Sequence, residues 1–334
     1  MSNRLWISWE DHRRSAELAK EFRANYIPIT FTSNRYLRYP IHSMMTLIFL
    51  IRIRPKLLFC QNPSIVLATF LVLMRPIFRF RLIVDRHSNF KLETKDLSSF
   101  KWRVFHILSR YTVRKADLTI VTNTKLSLLC EKMGGRAVVL QDKIPELNVN
   151  NKRAQPSFLR DFEKPQIMFV TMFDPDEPIK EIIDASKNMP DCIFYLTGNY
   201  KKVFPYGLPE KGLESNVVLT GFVSDEDYLS LMKRSDLVVV LTKKDLILNC
   251  GAYEAISFNK PLVLSDTETL RSYFRKAAAY TKNGSFDIEN NLRHCLNVLD
   301  KMQADLIEEK RILIENWSDK FSCVNKIICD LERH

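Results

Sequence analysis

The sequence predicts an α/β protein made of two doubly wound parallel sheets. Short apolar runs of strand length alternate with segments whose apolar positions recur at helical spacing, the pattern of parallel strands joined by crossover helices. The alternation lapses once, over a polar stretch at 148–163 (NVNNKRAQPSFLRDFE), and then restarts. A chain of 334 residues is long enough for two domains, each with its own core.

In order, residues 4–8 read as a strand, and 11–22 as a helix with Ala16, Ala19 and Phe22 on one face. A strand at 26–32, a helix at 41–54, a strand at 57–60, a helix at 64–74 and a strand at 80–84 continue the pattern. A longer helix at 98–114 precedes a strand at 118–122, a helix at 125–132 and a strand at 137–140. After the polar stretch come a strand at 166–171, a helix at 177–186 and strands at 193–197 and 217–220. A helix at 226–233 and a strand at 237–241 follow. A further helix and strand complete the run to 266, with a helix at 269–276, a short strand near 278–280 and helices from 286 onward. The expected domains are therefore 1–150 and 164–315, with a last helix over 316–334.

Charge divides the chain. The formal net charge is +11, yet residues 1–155 hold 27 Lys/Arg against 11 Asp/Glu, whereas 156–334 hold 23 against 28. A first half at +16 suits an anionic partner such as a membrane face or a lipid pyrophosphate. Nucleic acid is set aside as a partner, because the basic residues are dispersed over several elements and carry no recognition motif. The seven cysteines are scattered, without metal-like or redox spacing, which points to a reducing compartment. The start, MSNRLWISWEDHRR, lacks a signal-peptide core. The longest apolar stretches, 44–51 and 65–74, are too short to span a bilayer; they are core elements or interfacial insertions. Lys101, Arg103, Arg110, Arg114 and Lys115 interleave with Trp102, Phe105 and Leu108, which suits either a core-facing amphipathic helix or attachment to anionic lipid. The expected location is cytoplasmic, with peripheral contact to the inner face of the plasma membrane.

The most informative segment is 237–266, LVVVLTKKDLILNCGAYEAISFNKPLVLSD. A buried-type strand leads through a polar loop to Gly251 and Ala252, then to a helix carrying Glu254, and on to a second strand. Parallel α/β sheets place ligands where strands end and helices begin. Small residues at a helix start let a phosphate approach the backbone N–H groups, and Glu254, one turn on, can accept from a ribose diol. The segment resembles the donor-nucleotide site of GT-B glycosyltransferases, in particular the retaining family-four-like enzymes of bacterial polysaccharide biosynthesis.

That resemblance implies two Rossmann-like domains facing a cleft, a UDP- or GDP-linked sugar as co-substrate, and no cofactor or metal. It implies roles for particular residues. In LIVDRHSNF, residues 82–90, His87 would meet the transferred sugar or the leaving phosphate, and Asp85 would orient its imidazole. The alternatives are a His that caps a helix and an Asp85 paired with Arg86. Leu196-Thr197-Gly198-Asn199 and Thr220-Gly221-Phe222-Val223 resemble donor-side loops, so Gly198, Phe222 and Val223 join Gly251, Ala252 and Glu254, although plain turns give the same letters.

The chain also departs from the family pattern. Where an Arg and a Lys usually hold the pyrophosphate it reads TMFDPDEPIKE (171–181), whose acids Asp174, Asp176 and Glu177 repel a diphosphate. Lys243 and Lys244 are the candidate replacements, or else solvated loop lysines. The first of the family's paired glutamates is replaced by Leu246, with Asp245 beside it and Asn249 within reach of the sugar. His12, Arg13 and Arg14 open the first helix and Asn62 ends the third strand, places that suit a lipid pyrophosphate acceptor or a solvated helix end. The first βα loop has no glycine, which excludes a dinucleotide fingerprint. There is no Walker loop, nucleophile elbow or CxxC pair either. The expected function is sugar transfer from a nucleotide sugar to a lipid-linked or polysaccharide acceptor; the alternative is a non-catalytic GT-B scaffold that partners a transferase or binds glycan.

Overall fold

The computed structural model describes residues 4–333 apart from 31–34, 63, 98, 149–155, 157, 160–162 and 203–212. The chain divides into two compact units, Met1–Lys143 with Asn316–His334, and Ile144–Glu315. Most of the polar stretch expected as a linker, and the end of the strand expected at 26–32, lie outside the described residues.

The first unit holds strands β1 (Arg4–Ser8), β2 (Asn25–Pro28), β3 (Leu57–Asn62), β4 (Arg81–Arg86), β5 (Leu118–Val121) and β6 (Ala137–Val139). They form one parallel sheet in the order β2-β1-β3-β4-β5-β6. Helices α1 (Arg13–Glu21), α2 (Arg35–Ile53), α3 (Ile65–Phe78), α4 (Phe100–Lys115) and α5 (Thr124–Lys132) connect them. Strand residues alternate between the two faces. Leu5, Ile7, Leu58, Cys60, Leu82 and Val84 meet Leu67, Ala68 and Leu71 of α3 on one face. Trp6, Phe59, Ile83 and Ile120 meet Leu18 and Ala19 of α1, and Phe22 just after it, on the other. Both faces are covered, as crossover topology requires. Each large apolar side chain so withdrawn from water stabilises the fold by roughly 1.5–3 kcal/mol.

The second unit holds β7 (Gln166–Phe169), β8 (Ile193–Thr197), β9 (Val217–Gly221), β10 (Leu237–Val240), β11 (Leu262–Ser265) and β12 (Ala279–Thr281). These are again parallel, in the order β12-β11-β10-β7-β8-β9. Its helices are α6 (Ile179–Lys187), α7 (Asp225–Arg234), α8 (Cys250–Ser257), α9 (Glu268–Phe274) and α10 (Ser285–Asn297). The first strand of each unit, β1 or β7, lies inside its sheet, and the chain builds outward from it first on one side and then on the other. The loops after β7 and β10 therefore diverge, leaving the crevice where doubly wound sheets take ligands. Helix starts follow their sequence signals. Ser64 Oγ accepts from the Leu67 N–H, Asn123 Oδ1 from Leu126, Ser224 Oγ from Asp227 and Thr267 Oγ1 from Leu270.

Two helices differ from the sequence reading. Helix α2 begins at Arg35, six residues before the apolar run that announces it, and takes Pro40 inside. At the end, the helix expected at 316 is the second half of α11 (Leu299–Arg333), a single helix of 35 residues. No Gly or Pro interrupts it, so nothing in its sequence stops the helix at Asn316. One stripe of α11 serves both units: Leu306 and Leu313 enter the core of the second, and Trp317, Val324 and Ile328 that of the first.

Candidate functional site

At the switch point of the second unit lies a cavity of about 360 Å³, the size of a small-molecule site. Its walls come from the loop after β7 (Thr171, Met172), the ends of β8 and β9, and the start of α8. Two glycines allow this closure. Gly198 has φ +93°, and a Cβ there would stand 2.3 Å from the Thr171 carbonyl oxygen. A Cβ on Gly251 would stand 2.8 Å from Val170 Cγ1, so the bare backbone lets α8 start against the end of β7. The cap residue of α8, Asn249, makes no side-chain capping bond, and its Oδ1 is buried without a partner. That helix start therefore faces the cavity with a side-chain oxygen and a dipole still to be satisfied.

Glu254 lines the same cavity, half-buried, and accepts a 2.6 Å hydrogen bond from the Tyr228 hydroxyl of α7. Gly198, Phe222, Val223, Asn249 and Gly251 join it there, Phe222 being largely exposed. Ala252 does not: it is fully buried in the core beneath. Lys243 and Asp245 are also absent from the walls, and among the described lining residues there is no lysine or arginine.

The acidic loop explains where the lysines went. Lys243 Nζ lies 3.3 Å from Glu181, and Lys244 Nζ lies 3.1 Å from Asp176. Both lysines thus neutralise acids of the 171–181 segment instead of standing at the cavity. Glu177 does line it. Its carboxylate accepts from the backbone N–H groups of Met172 (3.0 Å) and Asp174 (3.2 Å). Burial pushes the Glu177 carboxyl up to about 7, helped by Asp174 and Asp176 and opposed by those two N–H donors. A group that is partly neutral at pH 7 repels a diphosphate far less than the letter E suggests.

In the first unit the structure gathers His12, Arg14, Asp85 and His87, which the sequence spreads over two motifs. The His12 and His87 rings stack with centroids 4.8 Å apart, and Asp85 Oδ2 lies 3.3 Å from His87 Nδ1. Asp85 is wholly buried, and its partner is Arg14, not Arg86. Burial alone raises an acid, but the Arg14 guanidinium and the His87 contact outweigh it and hold Asp85 below the usual carboxylate range. Burial, and then His87, lowers His12.

These contacts correct two expectations. Arg14 cannot grip an acceptor phosphate, since it is 2% exposed and its guanidinium is spent on Asp85, Asp142 and the Leu140 carbonyl. The alternative pairing of Asp85 with Arg86 is not seen: Asp85 is buried against Arg14 and lies beside His87 Nδ1, the place expected of a group that orients that imidazole. Arg13 lies at the surface beside Glu17, at 3.8 Å. Asn62 ends β3 in register with Arg86, and its side chain lies outside the described residues. Sequence reasoning missed Tyr228 and Asp142. A tyrosine on an amphipathic helix and an acid in a loop carry no local mark of their partners, although an arginine at the buried edge of α1 demands an acid somewhere.

Residues 150–314, nearly the whole second unit, match the family described as Glycosyl transferases group 1. No curated protein sequence matches the chain closely enough to count as a relative. Among solved structures the chain is similar to the sucrose-phosphate synthase of Thermosynechococcus elongatus, with a TM-score of 0.73 at 14% identity over 92% of this chain and 83% of that one. It is similar to Anabaena HepE in complex with UDP-glucose, with a TM-score of 0.68 at 17% identity, covering 97% and 90%. It is also similar to an α,α-trehalose-phosphate synthase (UDP-forming) of Burkholderia vietnamiensis, with a TM-score of 0.66 at 14% identity, covering 91% and 80%.

Proposed function

We propose that this chain, of GT-B fold and with a second unit that matches the glycosyl transferases group 1 family, is a glycosyltransferase that moves a sugar from a nucleotide-sugar donor to a lipid-linked or other glycan acceptor. The observation that carries the donor half is the cavity at the β7/β10 switch point, into which α8 presents both its uncapped start and Glu254. Glu254, fixed by Tyr228, accepts from the donor's ribose, and Phe222 and Val223 cover its base. The pyrophosphate sits on backbone N–H groups and the helix dipole, because the described lining side chains supply no cation. Preorganised donors of this kind stabilise a leaving diphosphate without a metal ion. HepE is described in complex with UDP-glucose, which supports a nucleotide-sugar partner.

His87 is the residue we assign to the transferred sugar. With Nδ1 turned to Asp85, Nε2 is the ring nitrogen left for a sugar hydroxyl. Transfer with retention of anomeric configuration follows from the family resemblance. The acceptor end of the reading, a lipid-linked glycan at the inner face of the plasma membrane, rests on the basic first half of the chain. Among the described residues no helix is long and apolar enough to cross a membrane.

A second reading, a scaffold that binds glycan without turnover, draws on the cation-free lining. One screen separates the two. Thermal shift with UDP- and GDP-linked sugars should raise the Tm for one base, and Glu254→Ala should abolish the rise. Radiolabelled donor should then pass label to a membrane extract, and His87→Ala should stop the transfer while leaving the Tm rise intact. No Tm rise with any nucleotide sugar sinks the transferase reading; a rise without transfer favours the scaffold.

A further inference from the structure

Helices α2, α3 and α4 form one layer over the first sheet, with α3 packed against both neighbours. None of the three contains an Asp or a Glu. Over residues 22–84 the sequence has nine Lys/Arg and no acid at all. A helical layer facing only water normally mixes both signs and turns polar residues outward. This one carries a single sign, and beside exposed basic residues such as Arg103 and Arg110 it turns apolar ones outward as well. Its inner positions, Leu50, Leu67, Leu71 and Val72, build the core. Its outer positions are also apolar: Met44, Ile48 and Ile51 recur at i, i+4, i+7 on α2, and Leu73 and Ile77 at i, i+4 on α3. Ile77 is 70% exposed, and Ile107 on α4 is 67% exposed.

All three helices return antiparallel to the same set of parallel strands, so their C-terminal ends reach one edge of the unit. Arg52, Arg54 and Lys56 stand at the end of α2, Arg79 and Arg81 follow α3, and Arg114 and Lys115 end α4. Between the last two helices opens a cavity of about 500 Å³, lined by Arg75, Arg79, Arg81, Lys115 and Tyr111 among others. Among the described residues their acidic partner is Asp117, 2.6 Å from Arg75 and 3.3 Å from Arg81. Two of these four cations therefore share one carboxylate, and Arg79 and Lys115 stand exposed near them and near the apolar pair Leu73 and Ile77.

We propose that the α2–α3–α4 face docks on an anionic lipid bilayer, with a phosphate-bearing lipid headgroup in the cavity at the ends of α3 and α4. The inference extends the membrane part of the proposed function, but it involves neither the donor cavity nor His87, so each can fail alone. Charge selects an anionic occupant, and the apolar ridge selects lipid among anions. A soluble polyanion would leave Leu73, Ile77, Met44 and Ile48 in water. A second copy seated on the same face would bring like charges together, which is unfavourable. The helices lie on the bilayer, not through it.

The test is flotation of the full chain with vesicles of phosphatidylcholine alone and of phosphatidylcholine mixed with phosphatidylglycerol. The chain should bind the mixed vesicles at least about tenfold more strongly, and added salt should weaken that binding. Two exposed pairs are then reversed separately, Leu73→Glu with Ile77→Glu, and Arg79→Glu with Lys115→Glu. Each pair should lower binding about tenfold or more while the Tm and its response to nucleotide sugar stay as in the parent. Equal binding to both vesicle types, or binding that neither pair changes, overturns the proposal. So does saturation by soluble glycerol phosphate without vesicle binding, which would make the cavity a site for a free phosphate. A concentration-dependent dimer split by Ile77→Glu, again without vesicle binding, would give the face to a second copy.

Discussion

The two units repeat one architecture, a six-stranded parallel sheet entered through an inner strand, yet they place charge in opposite ways. In the first, an ion cluster is sealed at the sheet edge, where Arg14 holds Asp85 and Asp142, and the remaining cations crowd the ends of three acid-free helices. In the second, the lysines nearest the cavity are matched by acids, and the lining has carboxylates without cations among the described residues. The same scaffold thus uses buried charge to fix side-chain geometry in one unit, and backbone donors for the same end in the other. A net charge of +16 over the first 155 residues and −5 over the rest is the sequence-level trace of that division.

The comparison can be broken most forcefully at Arg14. Arg14→Met leaves two carboxylates without their partner, one fully buried, and should cost about 3–5 kcal/mol in urea denaturation. Lys243→Met in the second unit, at a partly exposed pair, should cost less than about 1 kcal/mol. Similar losses from both would mean the two units do not differ in this respect. Gly198→Ala comes next. It forces a Cβ onto the Thr171 carbonyl at a positive φ and should destabilise the second unit by about 2–4 kcal/mol, read as a drop in Tm.

A smaller effect is expected from Tyr228→Phe, which removes the hydroxyl that fixes Glu254. Donor affinity by calorimetry should fall about fivefold, the worth of one charge-assisted hydrogen bond of roughly 1 kcal/mol. The smallest effect sharpens the role of Glu177. Its folded pKa, about 7, lies above its ordinary value of 4.5, so protonation favours the folded form. That stabilisation is complete below about pH 4.5 and is lost as pH rises through about 7. Binding of a nucleotide sugar should weaken over the same rise, as the carboxylate becomes fully charged. Glu177→Gln should flatten both profiles; unchanged profiles would remove Glu177 from the cavity's electrostatics.

Much of the architecture was readable from the letters. The inner strands are short apolar runs, and strands buried on both faces leave that mark without help from context, whereas the edge strand β2, NYIP, is partly exposed and mixed in composition. The cavity residues Gly251 and Glu254 were readable too, because a glycine at a helix start, with an acid one turn on, is a local pattern, and Gly198 marks itself by following a strand. Charge partners were not. Lys243 and Lys244 look like replacement cations until Glu181 and Asp176 are seen beside them, and those acids are more than sixty positions away. Arg14 looked like a phosphate ligand for the same reason, since Asp85 and Asp142 approach it only through the fold. The start of α2 was hidden by Pro40, and the unbroken α11 by its mixed composition across the unit boundary.

The path of α11 has a consequence for how this protein is made. Trp317, Val324 and Ile328 close the core of the first unit, and Arg4 of its opening strand pairs with Glu332. Ribosomes deliver those residues only after the whole of 144–315 has been synthesised. The amino-terminal sheet must therefore wait with one flank only partly covered by α1, while the later unit can complete its own interior first. Maturation of the nascent chain should run in the reverse of synthetic order.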